Sequence, residues 1–301
     1  MKNLTLRQMR YFEALSRFGH FGHAADACAV SQPALSVQIK ELEQSVGQPL
    51  FERGPRSVRL TAFGETLLTR VRDILRAVDE LGEVARAAQG MLSGTLRLGV
   101  IPTIAPYLLP GLIGALRKSH PSLELEVRET MTERLIEELS DGKIDTAIVA
   151  LPVDIPNMAE LPLFSESLML VRPSVDADEP VPSPDNLGMM RLLMLEQGHC
   201  FRDQALAFCN LHRAARREGL DGSSLSTLVQ MVGAGIGVTL IPEMAVGVET
   251  RSAPVSVGRF PAPEPQRTVG LIWRKTNPMA DQFAALGDKI KDVATTLSPA
   301  P

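Results

Sequence analysis

Two cysteines nine positions apart, Cys200 and Cys209, bracket the run Cys200-Phe201-Arg202-Asp203-Gln204-Ala205-Leu206-Ala207-Phe208-Cys209, preceded by Gly198-His199. Thiolate, not thiol, is the nucleophile, and it is favoured beside cations or at a helix N-terminus. His199 and Arg202 flank Cys200, and Gly198 is placed to precede a helix that starts there. Oxidation of such a residue gives a sulfenic acid, which condenses with a second thiol to a disulfide. If 200–209 is helical, the α-carbons stand about 13 Å apart at ~1.5 Å per residue, whereas a disulfide needs them within ~7 Å. That segment must unravel to be cross-linked. The pair alone leaves a second reading open, two inert thiols packed as small hydrophobes.

Composition narrows the setting. Three cysteines in 301 residues, the third being Cys28, do not make a secreted disulfide framework. No apolar run is long enough to span a membrane and the start Met1-Lys2-Asn3-Leu4 opens no signal-peptide core, so a cytoplasmic protein with no membrane partner is expected. His20, His23, His120, His199 and His212 lack metal-ligand spacing. Gly233-Ala234-Gly235-Ile236-Gly237 leads into a strand rather than a helix, so neither metal, nucleotide cofactor nor enzyme activity is expected. The net charge is -4, yet basic residues outnumber acidic ones through residue 60. Any nucleic-acid contact therefore belongs at the front.

Leu6, Met9, Phe12 and Leu15 repeat at helical spacing, and Gly19 with Gly22 ends that helix before a shorter one carrying Ala24, Ala25 and Ala27. Cys28 is expected as a small buried residue of that second helix. Ser31 is placed to cap a third helix, with Pro33 tolerated in its first turn. Leu35, Ile39, Leu42 and Val46 form its inner stripe, leaving Gln32, Pro33, Ser36, Val37 and Lys40 outward. A small polar face suits the DNA major groove, although a solvated helix bundle would show it too. Leu50 to Leu60 reads as two short strands around Gly54-Pro55, a wing with Arg53 and Arg56 towards phosphate. From the cap Thr61 to about Gln89, Leu67, Val71, Ile74, Val78, Leu81, Ala85 and Ala88 alternate in steps of four and three. That spacing predicts a long helix joining two chains, the alternative being a helix packed on its own domain.

Beyond a hinge at Gly90 to Gly94, strands at 96–101, 123–127, 145–150, 168–171, 192–195, 238–241 and 268–273 alternate with helices at 102–118, 135–139, 226–233 and 282–297. This predicts a mostly parallel sheet in two successive lobes with the chain returning to the first. The basic stretch Arg213-Ala214-Ala215-Arg216-Arg217 follows Cys209 without an assigned role.

The order Ala24-Ala25, Val30-Ser31-Gln32-Pro33-Ala34-Leu35-Ser36, Ile39, Leu42-Glu43, Gly47, Leu50-Phe51, Arg53 and Leu60-Thr61 closely resembles the signature of LysR-type transcription regulators. Gly198-His199-Cys200 with Asp203-Gln204 and Cys209 resembles the peroxide-sensing branch of that family. The resemblance implies an α/β chain: a winged helix-turn-helix over 1–60, a dimerising linker helix over 61–89 and a periplasmic-binding-protein-like sensor over 90–301, with lobe I about 95–164 and 268–301 and lobe II about 165–267. It implies promoter DNA held through Ser31, Gln32, Pro33, Ser36, Lys40, Arg53 and Arg56, self-association to a dimer or tetramer, a possible contact with RNA polymerase, and hydrogen peroxide as signal. Cys200 would be the peroxidatic residue and Cys209 the resolving one, with His199, Arg202, Asp203, Thr103, Thr132 and Arg267 around them. By the residues alone, the threonines also fit as turn residues and Arg267 with Asp203 as a surface ion pair. The competing function is a regulator of the same family that takes a small metabolite between its lobes, its cysteines inert.

Overall fold

The computed structural model describes residues 4–54, 58–87, 92–209 and 221–297, and the chain divides into two compact units, Met1–Ala85 and Arg86–Pro301. In the first, α1 (Leu6–Phe18) opens on a capping box between Thr5 and Gln8 and stops at Gly19, whose φ of 59° is the left-handed conformation that ends helices. α2 (Phe21–Ala27) is capped by His20, so Gly22 lies inside it rather than breaking the chain before it. Ser31 caps α3 (Gln32–Val46) by accepting from the Ala34 N–H. Phe12, Leu15, Leu35 and Ile39 form the centre of this core, with Phe51 edge-on to Phe12. Ala24 and Ala25 are buried but Ala27 is exposed, because a helix this short turns only one side inward. Cys28 is half-buried at its end, where a fully buried residue was expected.

The wing is the antiparallel pair β1 (Phe51–Arg53) and β2 (Val58–Leu60). Glu43 of α3 accepts from the Leu50 and Phe51 N–H groups, tying helix to wing. Thr61 caps α4 (Ala62–Ala87) through the Gly64 N–H. The expected seam divides here: Val71, with Leu68 and Leu75, is buried in the unit's own core, while Ile74, Leu81 and Val84 stay exposed. The helix thus has one face packed on its own unit, as the second reading of its periodicity expected, and a further apolar face left exposed.

The second unit follows β3 (Gly94–Val100), α5 (Ala105–Ser119), β4 (Leu123–Glu129), α6 (Thr132–Ser140), β5 (Thr146–Leu151), β6 (Met158–Pro173), α7 (Pro184–Met189), β7 (Leu192–Leu195), α8 (Cys200–Phe208), β8 (Asp221–Gly222), α9 (Leu225–Gly233), β9 (Val238–Pro242), α10 (Glu243–Glu249), β10 (Val255–Gly258), β11 (Gln266–Arg274) and α11 (Ala280–Leu297). The strands order as β4-β3-β5-β11-β6-β9-β7-β8, with β10 also on β6. β3 is parallel to β4 and β5, and β7 to β8 and β9. The sheet is mixed rather than mostly parallel, because β6 and β11 run antiparallel to each other and to their outer neighbours. These two long strands pair from Gln266 with Ser167 to Arg274 with Met158, and β6 runs on from one hydrophobic core to the other. Phe164 packs on the core built around Leu98, Ile148 and Phe283, and Leu168 belongs to the core around Leu195, Val229 and Ile241. The two lobes therefore share continuous backbone at the place where the reactive residues gather.

Candidate functional site

α8 begins at Cys200 and ends with Cys209 as its C-cap, and both cysteines are free. Phe201, Ala205 and Leu206 bury its inner face, against β7, α9 and β9. A continuous helix between the sulfurs keeps them at the separation that a helical rise imposes, beyond disulfide reach. Burial pushes the Cys209 thiol up to about 11, so in this conformation it stays protonated and unreactive near neutral pH.

Cys200 opens on a narrow cleft between the turn Ile101-Pro102-Thr103, the α6 entry Met131-Thr132 and the turn Gly198-His199, with Phe201 completing the wall. Lobe I supplies the first two segments and lobe II the rest. Gly198 is required here: its φ is +104°, and a Cβ would stand 2.6 Å from Met131 Sδ. His199 is buried, and desolvation holds its pKa below the ordinary value against a smaller opposing effect of Glu196, which favours the neutral imidazole. Thr132 Oγ1 is buried with no hydrogen-bond partner, so its hydroxyl can both donate to and accept from a small polar guest.

Arg267 organises the cleft from behind. Its Nη1 donates to Thr103 Oγ1 at 2.8 Å and its Nη2 to the Thr103 carbonyl at 2.9 Å. The Nε donates to Glu166 Oε1 at 2.8 Å, forming a buried ion pair. The guanidinium also lies 5.4 Å from the centre of the Phe201 ring, a cation–π contact with the residue next to Cys200. Thr103, with its oxygen accepting from Arg267, keeps its own proton for a second bond.

The structure thus brings together Thr103, Thr132, His199 and Cys200, with Arg267 supporting them. Arg202 goes elsewhere: it donates to the Leu195 carbonyl at 2.7 Å and pairs with Asp221 at 3.3 Å, fastening the first turn of α8 to β7 and β8. Asp203 is exposed in the first turn of α8, and Cys209 lies at the far end of that helix. Sequence reasoning missed Glu166, Phe201 and Met131; a carboxylate just before the apolar run Leu168 to Val171 of β6 was the available signal for Glu166. Among the described residues no cluster of three or more metal-ligating side chains exists.

On the first unit, Ser31, Gln32, Pro33 and Lys40 are exposed along one face of α3 and Ser36 is half-buried there. The backbone of Arg53 pairs with Val58 in the wing. Arg56, Ala88 of the linker seam, and Arg213 to Arg217 lie outside the described residues.

Residues 6–65 match the bacterial regulatory helix-turn-helix model of the lysR family, and residues 89–295 match the LysR substrate-binding domain. The chain belongs to the LysR family of transcription regulators. It is 40% identical over 294 residues to the DNA-binding transcriptional dual regulator OxyR of Escherichia coli, covering 96% of this chain and 95% of that one. A full-length cysteine variant of OxyR from Pseudomonas aeruginosa superposes with a TM-score of 0.77 at 35% identity, over 97% of this chain and 96% of that one. A hydrogen-peroxide-bound cysteine variant of OxyR from Corynebacterium glutamicum does so with a TM-score of 0.68 at 33% identity, over 98% and 94%.

Proposed function

We propose that this chain is a cytoplasmic, peroxide-responsive transcription regulator whose signal is the redox state of Cys200 and Cys209. The observation that carries the reading is the pair of free cysteines at the two ends of α8, one of them in a cleft with a buried, unpartnered threonine hydroxyl. Hydrogen peroxide held by Thr103 and Thr132 is attacked by the Cys200 thiolate. The S–O bond forms as the O–O bond breaks, the departing hydroxide leaves as water after taking a proton, and sulfur is oxidised to sulfenic acid. Cys209 sulfur then attacks Cys200 sulfur, expelling the hydroxyl as a second water and closing the disulfide.

The second step needs α8 to unwind. Phe201 then leaves Arg267, and Arg202 leaves Leu195 and Asp221, so a local oxidation becomes a change in how lobe II is packed. His199, held neutral by burial, lines the wall beside Cys200 as a polar group and is not the cation its place in the sequence suggested. Asp203, at the start of α8, favours the reduced arrangement through the helix dipole.

Output goes through α3, with Gln32, Pro33 and Ser36 reading base edges of promoter DNA and Lys40 and the wing arginines Arg53 and Arg56 meeting phosphate. Two copies join through the outward face of α4, and a tetramer formed from such dimers contacts RNA polymerase once oxidised. DNase footprints of reduced and peroxide-treated protein, with Cys200→Ser as control, test this reading. A footprint that shifts in the parent and not in the variant supports it. A footprint indifferent to oxidation in the parent leaves a family member that answers to some other effector, and sustained multiple-turnover peroxide consumption points to a thiol peroxidase instead.

A further inference from the structure

The cleft at Cys200 has free space for about one water-sized molecule. Its walls are mostly stiff: Ile101 is β-branched, Pro102 is cyclic, and Thr103 is fixed by Arg267. Met131 differs. It is half-buried, and it is the lining side chain with three rotatable bonds and a polarisable tip. That tip reaches the opposite wall, since a Cβ on Gly198 would meet Met131 Sδ at 2.6 Å and Cε at 3.7 Å. Thioether and glycine backbone therefore touch across the cleft, two residues before the reactive sulfur. Only a residue without a side chain permits so close an approach.

We propose that Met131 is a size gate that decides which hydroperoxides reach Cys200, admitting hydrogen peroxide and excluding those with a branched alkyl group. This inference rests on the peroxide reading of the same site. The chemistry would proceed with either oxidant: the thiolate attacks the terminal oxygen, the O–O bond breaks, and the alkoxide leaves as an alcohol after taking a proton. Selection therefore lies in access. Hydrogen peroxide fits with small adjustment, whereas a tert-butyl group must lift Met131 off Gly198 and forfeit the packing of both. Other walls cannot yield as cheaply, because Thr103 is held by a buried guanidinium and Gly198 by its backbone conformation.

The test compares full-length parent, Met131→Ala and Met131→Leu. Each is reduced and exposed to hydrogen peroxide or tert-butyl hydroperoxide, and Cys200 oxidation is timed by thiol alkylation and mass spectrometry. The readout is the ratio of the two rate constants within one variant, which cancels any general loss of reactivity. Met131→Ala is expected to lower the preference for hydrogen peroxide by about tenfold or more, within the discrimination that pocket shape supplies. Met131→Leu, which keeps the volume, is expected to retain most of it. A ratio in Met131→Ala equal to the parent's overturns the gate while leaving peroxide sensing intact. If hydrogen peroxide fails to oxidise Cys200 in the parent, the sensing reading and the gate fall together.

Discussion

Removing the Arg267 side chain leaves Glu166, a carboxylate buried on β6 whose Oε1 accepts from that guanidinium, with the Met244 N–H on its Oε2 but without its ion-pair partner. Breaking one side of a buried pair typically costs about 3–5 kcal/mol, so Arg267→Ala should lower urea-unfolding stability by that order. The same change should slow Cys200 oxidation, since Thr103 and Phe201 both lose their anchor. His199 gives a pH dependence of definite sign. Its pKa is lowered from about 6.5 in the fold, so the unfolded chain takes up a proton that the folded chain resists. Stability should fall as pH drops through 6.5 and level off below the lowered value, and His199→Asn should flatten that part of a denaturation-against-pH curve. At this scale the sequence was uneven as a guide. Cys200, His199 and the two threonines could be named from the family motif because they are near it or at recognisable turns. Glu166 could not, since only the β6–β11 pairing brings it to Arg267, and Arg202 misled because adjacency in sequence hid the turn of α8 that aims it at Asp221.

The element that decides the outcome is α8, and what fastens it sets how readily it opens. Arg202 bridges its first turn to the Leu195 carbonyl and Asp221, and a partly buried bond of this kind is worth about 1 kcal/mol. Arg202→Ala should therefore speed the disulfide-forming step by about fivefold while leaving the first oxidation less affected, which quench-flow with sulfenic-acid trapping would resolve. Should both steps change equally, Arg202 acts on Cys200 itself and not on the helix. Most elements were legible in the sequence because hydrophobic periodicity and caps coincide, as at Ser31 for α3 and over Leu192–Leu195 for β7. The short α7 and α10 and strand β10 were not, lacking enough residues to show a period. β6 was seen only as its 168–171 segment, because Pro162 and the polar residues before it interrupt the apolar run that pairing with β11 makes continuous.

For the whole molecule, each compact unit carries one half of the function. On the first, α4 leaves Ile74, Leu81 and Val84 exposed at 42%, 68% and 53%, an apolar stripe beyond the residues its own core uses. Leu81→Glu should shift the protein towards monomer in sedimentation velocity without unfolding the three-helix core, whereas an unchanged association state would place the self-contact elsewhere. On the second, the two lobe cores share β6, so a refolded α8 acts on a body whose halves are already linked. The central claim concerns one covalent bond, and peptide mapping under non-reducing conditions after brief exposure to stoichiometric hydrogen peroxide reads it directly. The predicted result is a Cys200–Cys209 cross-linked peptide that disappears on reduction, with Cys28 unmodified. Full conversion of Cys200 to higher oxides with Cys209 still a free thiol would contradict the switch.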